Sequence, residues 1–150
     1  MSSERRGIPG TEAAVVIVVI AIFMVIAVPS LGPTAGEHTA ISAREALAAM
    51  HARTRAHAIS TGQVTVLNLD FALDRAWISQ EATTLETLEF DEMMGVDLQA
   101  DSDTMRICMN AKGFGEVSCN SFDRGTDILF VRGKESERMR LYPLGQLVLP

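Results

Sequence analysis

Aromatic residues are scarce in this chain of 150 residues, which has six Phe, one Tyr and one Trp, 5% in all. Any core must be largely aliphatic, and a hydrophobic content of 47% with so few rings suits a long Ala-rich helix joined to a small sheet. Cysteine is nearly absent. Cys108 and Cys119 are too few for a structural metal site, and no third or fourth ligand stands at a suitable spacing. Catalytic signatures are missing as well: there is no Gly-x-Ser-x-Gly, no Walker loop and no His-Glu-x-x-His. The expectation is a chain that is not an enzyme and needs no cofactor, metal or small-molecule substrate. Positive charge is also short, with a net charge of −6, so the surface repels phosphate backbones and nucleic acid is a poor partner.

What the chain does have is one long apolar run. Residues 13–28 carry no charge and are closed by Pro29, while Glu12 stands at the mouth of the run and Arg5 and Arg6 lie ahead of it. As a helix the run is about 24 Å long, a little short of a bilayer core of roughly 30 Å, and its flanks Ile8 and Leu31 extend it. The arginines put the N-terminus in the cytoplasm and the rest outside, in the periplasm or beyond. A carboxylate at that position costs roughly 2.5 to 3.5 kcal/mol on insertion scales, so a partner is expected for it. An ordinary secretory signal is the bland alternative, but Glu12 falls where its apolar region would begin and no Ala-x-Ala site follows Val28. An unprocessed single-pass anchor is the other.

The arrangement Gly7, Glu12, Pro29 resembles the class III signal and first helix half of type IV pilins and type II secretion pseudopilins. The resemblance implies cleavage by prepilin peptidase between Gly7 and Ile8, N-methylation of Ile8, an assembly role for Glu12 and a helix kink at Pro29. In place of the usual Phe-Thr-Leu-(Ile/Val)-Glu, this chain reads Ile8-Pro9-Gly10-Thr11-Glu12. Removing residues 1–7 takes away Arg5, Arg6 and Glu4 and leaves a net charge of −7. The domain plan is then a cytoplasmic leader over 1–7, a transmembrane and polymerisation helix over 8–31, and a periplasmic globular domain over 32–150. The acid itself has a physical reading. Burying a carboxylate and an ammonium separately in lipid is very costly, so pairing Glu12 with the new amine of a neighbour's Ile8 lowers the penalty and selects a register; a Glu12 solvated at the level of the lipid headgroups is the alternative.

Beyond Pro29, residues 32–36 form a Gly/Pro interruption, and helix formers return from 37 to about 60. Ala43, Leu47, Met50, Thr54 and Ala58 recur at spacings of three and four, with Arg44, Glu45, His51 and Arg55 opposite, which predicts an amphipathic helix on a core. Thr61-Gly62 supplies the stop. The period then changes to two. Strands are expected over 63–69, 75–79, 104–109, 116–120, 127–131 and 138–142 with its continuation 146–149, where Pro143-Leu144-Gly145 makes the turn. Trp77 is expected in the core. The stretch 81–103 has eight acids and no Lys or Arg, and reads as a solvated, loop-rich connection with short strands. Helix followed by antiparallel strands is an α+β plan, with the long helix packed on a sheet or sandwich.

The stretch from Ser42-Ala43-Arg44-Glu45 through Arg53-Thr54-Arg55-Ala56 to Gly62-Gln63, followed by a strand, a Trp strand and a terminal strand-Pro-x-Gly-strand, resembles the GspH/FimT group. The resemblance implies a pilin-like fold and a minor pseudopilin of a type II secretion system, partnered by other pseudopilins through helix packing, by prepilin peptidase and by the inner membrane. A minor pilin of a type IV pilus is the alternative, and an anchored periplasmic binding module a further one. Relatives that take up DNA carry a basic Gly-Arg-x-Arg tail, and here the stretch is Gly145-Gln146-Leu147-Val148.

An oxidising compartment favours a disulfide between Cys108 and Cys119, and a hairpin centred between Gly113 and Phe114 would set them opposite each other; free core thiols are the alternative. His38, His51 and His57 are expected at the surface or its boundary. Asp97, Asp101 and Asp103 lack the glycine and distal glutamate of an EF-hand loop, so a solvated acidic loop is the expectation there.

Overall fold

The computed structural model describes residues 32–149, with side chains from 39 onward. Gly7, Ile8, Glu12 and Pro29, and the leader and membrane helix they define, lie outside the described residues.

Helix α1 spans Gly32–Thr61 and is 30 residues long, about 45 Å at the usual rise. It takes in the Gly/Pro stretch 32–36 that was expected to interrupt it. Pro33 is tolerated because it falls in the first turn, where its missing N–H would have no helical acceptor. The stripe Ala43, Leu47, Met50, Thr54 and Ala58 is buried as expected, and Ala40 extends it. Thr54 is accommodated there because its hydroxyl donates to the Met50 carbonyl at 2.8 Å. The helix stops at Gly62, whose φ of +69° lets its N–H reach the Ala58 carbonyl at 3.0 Å.

Eight strands follow, in two antiparallel four-stranded sheets. The first has the order β3-β2-β1-β5, from β1 (Thr65–Asp70), β2 (Arg75–Gln80), β3 (Thr83–Glu89) and β5 (Thr104–Met109). The second has the order β4-β6-β7-β8, from β4 (Asp97–Gln99), β6 (Thr126–Arg132), β7 (Glu135–Leu141) and β8 (Leu147–Val148). Period-two alternation turns Leu67, Leu69, Ala76, Ile78, Met105 and Ile107 of the first sheet inward, and Ile128, Phe130, Met139 and Leu141 of the second. These residues and the stripe of α1 make one core. The architecture is α+β, a long helix on antiparallel sheets.

The acidic stretch is more ordered than its charge suggested. It forms β3, the short helix α2 (Phe90–Met94) and β4. The reason lies in its few apolar residues: Phe90, Val96 and Leu98 are buried, and Phe90 meets Phe130 edge to face at 6.1 Å between ring centres. The carboxylates stay mostly at the surface. Asp74, at φ +48°, fastens the crossing between sheets, its carboxylate accepting the Leu98 N–H at 2.6 Å and its carbonyl the Phe90 N–H at 2.8 Å.

The expected strand 116–120 is absent. The Glu116 N–H bonds the Cys108 carbonyl, but the Cys119 and Asn120 N–H groups both return to the Glu116 carbonyl, which closes a turn. The side chain of Asn120 takes over the role of a ladder partner, its Oδ1 accepting the Cys108 N–H at 2.9 Å and its Nδ2 donating to the Pro143 carbonyl at 2.7 Å. The terminal hairpin does form around Pro143-Leu144-Gly145, with Gly145 at φ +82°.

Candidate functional site

Helix α1 is held along both flanks, which leaves its back bare. On one flank Arg44 Nη1 pairs with Glu137 Oε2 of β7 at 2.6 Å, and Arg55 Nη2 donates to the Gly145 carbonyl at 2.8 Å. On the other, Arg53 grips both carboxylate oxygens of Glu86 on β3 at 2.8 and 2.6 Å, and His57 Nε2 lies 3.0 Å from Gln80 Oε1. The remaining face shows Ser42, Glu45, Ala49, Ala52 and Ala56 to solvent, spaced by three and four. Small side chains there let another helix come close. Among the described residues no helix is long and apolar enough to cross a membrane.

Cys108 of β5 and Cys119 are joined by a disulfide, with Cα atoms 5.8 Å apart. The bond does not tie two strands of a hairpin, because only Met109 and Gly115 pair across that loop. Instead it pins an irregular loop to β5. Asn110 Oδ1 accepts the N–H groups of Lys112 and Phe114, and Gly113 at φ +77° lies against Ile59 and Arg55 of α1. Gly115 passes so close to the terminal hairpin that its N–H bonds the Leu144 carbonyl at 3.0 Å.

His51 is buried at 6% exposure, against the expectation of a surface or boundary residue, and its Nε2 has no hydrogen-bond partner among the described residues. His51 stands four residues after Leu47 and three before Thr54, so it lies on the same face as the buried stripe. Burial first, and the Arg55 guanidinium second, lower its pKa from 6.5 to about 4. His57 is half-buried beside Gln80; His38 belongs to α1, and its side chain is outside the described ones. Among the described residues no three His, Cys, Asp or Glu side chains gather as metal ligands would.

Trp77 also departs from expectation. Ala76 and Ile78 face the core, so Trp77 stands on the opposite face of the first sheet with the Arg75 guanidinium 5.0 Å from its ring centre. A signal was available, since Arg75 and Ser79 share the alternation of Trp77 and mark that face as polar.

This assembly of one long helix and two small sheets has counterparts of known structure. The type IV minor pilin FimU of Pseudomonas aeruginosa, in one crystal form, superposes with a TM-score of 0.58 at 15% identity, over 74% of this chain and 87% of that one. In a second crystal form the score is 0.54 at 15% identity, over 73% and 90%. The fold is pilin-like. No family model matches the chain, and no curated protein matches its sequence.

Proposed function

We propose that the chain is a minor pseudopilin of a type II secretion system, a structural part of a short periplasmic filament that helps to drive export of folded proteins. The observation that carries the reading is the pilin-like head on a long helix whose back is lined with Ala49, Ala52 and Ala56. In this reading the apolar run 13–28 sits in the inner membrane with residues 1–7 on the cytoplasmic side. Prepilin peptidase cuts after Gly7, Ile8 is N-methylated, and Glu12 meets the amine of an adjacent subunit as both enter the filament. Pro29 marks the break between the membrane half of the helix and α1. The partners are other pilin-type subunits, bound through helix packing, and the chain performs no catalysis.

A second reading, a minor pilin of a type IV pilus, draws support from the likeness to FimU. Deletion separates the two: loss of protein export with intact pili favours the first, and loss of pili with intact export the second. Both require processing. Mass spectrometry of the mature protein should find N-methyl-Ile8, and Glu12→Ala should fold normally yet fail to assemble. A mature protein starting at Met1, or assembly undisturbed by Glu12→Ala, would overturn both.

A further inference from the structure

The face of the first sheet turned away from α1 carries an assembly of groups that neither the core nor the helix uses. Strand register sets Thr87, Trp77, Asn68 and Arg106 in one row across all four strands. Two depressions flank the indole. One, of about 280 Å³, is lined by Asn68, Thr104, Arg106 and Ser121 as well as Trp77; the other, of about 180 Å³, by Arg75, Thr84 and Thr87 with Trp77. Asn68 Nδ2 is held by Ser79 Oγ at 2.9 Å, and Arg106 Nε by the Cys119 carbonyl at 3.3 Å, so the disulfide-pinned loop helps to aim the guanidinium. Arg106 is exposed and forms no ion pair among the described residues, whereas Arg75 stands opposite Asp70 and Glu89 in the register.

From this row we infer that the outer face of the first sheet is a binding site for an acidic oligosaccharide, with one pyranose ring stacked on the face of Trp77 that Arg75 does not cover and a ring carboxylate held by Arg106. The apolar C–H face of a sugar suits an indole, its rim of hydroxyls suits Asn68, Thr104 and Ser121, and a carboxylate accepts two parallel hydrogen bonds from a guanidinium. A protein partner would seek a larger apolar centre than this row offers. A nucleic acid strand would also stack on the indole, but the side chains of Asn68, Thr104 and Ser121 beside it suit the hydroxyl rim of a sugar rather than the edge of a base. The site depends on the head alone and stands apart from the filament reading.

Trp77 is the only tryptophan, so its fluorescence reports this site directly. The detergent-solubilised full chain titrated with trigalacturonate should show a saturating change in Trp emission, with a Kd on the order of 1 mM or tighter. Arg106→Gln should weaken the response by about tenfold or more, and Trp77→Ala should remove the binding heat in calorimetry. Circular dichroism checks that both variants fold. No saturating response in the wild-type chain would overturn the inference, as would an equal response to neutral maltotriose, an equal response to oligothymidylate, or unchanged affinity in folded Arg106→Gln.

Discussion

His51 should make the head acid-sensitive well above the range in which carboxylates titrate. Its ring is buried and neutral, and its pKa falls from 6.5 to about 4 on folding because burial penalises the cation and Arg55 repels it. Between those two values the unfolded chain holds a proton that the folded chain refuses, so stability is intact above pH 6.5 and declines as the pH falls toward 4. At about 1.4 kcal/mol per tenfold change in proton affinity, the full loss is about 3 kcal/mol. That is a large share of the 5 to 15 kcal/mol or so that a domain usually has, and corresponds to roughly 10 °C in Tm. Replacing His51 by Leu removes the titrating group together with a buried nitrogen that has no partner, so stability at pH 7 should hold or rise and the slope should flatten. Urea unfolding of both proteins at intervals from pH 7 to 4, with the disulfide intact, gives the difference curve. Asp74, whose pKa is raised chiefly by burial, and Asp127, whose pKa is lowered chiefly by its hydrogen bonds from Arg140, are common to both proteins and cancel. Parallel curves for wild type and His51→Leu would refute the reasoning.

Gly115→Ala should cost about 3 kcal/mol or more in urea unfolding, because the new Cβ would lie 2.1 Å from the Pro143 carbonyl oxygen; Gly133→Ala, with open space around it and only a φ of +62° to strain, should cost about 1 kcal/mol. Reducing Cys108–Cys119, which closes a loop over a separation of 11 residues, should lower stability by about 3 kcal/mol, read as a drop in Tm on adding reductant. Glu137→Gln should cost about 1 kcal/mol, since its pair with Arg44 is only 15% and 25% exposed, while Glu86→Gln, whose pair with Arg53 is 52% and 36% exposed, should cost less than about 0.5 kcal/mol in the same assay.

Local periodicity was enough to place the helix stripe from Ala43 to Ala58, the strands β1, β2, β5 and β6 and the terminal hairpin, because each is written in neighbouring residues whose spacing matches one backbone repeat. The α+β plan was legible for the same local reason; the two cysteines pair as expected, but not across the hairpin that was expected to set them opposite each other. Contacts distant in sequence decided the rest. The burial of His51 and the outward turn of Trp77 had local signals, in the spacing of His51 from Leu47 and Thr54 and in the polar alternation of Arg75 and Ser79, but only strand pairing brought Arg106, 29 positions away, into one row with Trp77 across Asn68. Phe90, Val96 and Leu98 were too sparse to mark strands among so many acids, yet each found a place in a core supplied by both sheets. Periodicity shows which side of an element is apolar, but how much of that side is covered depends on elements that arrive from elsewhere in the chain, and only their packing could settle it.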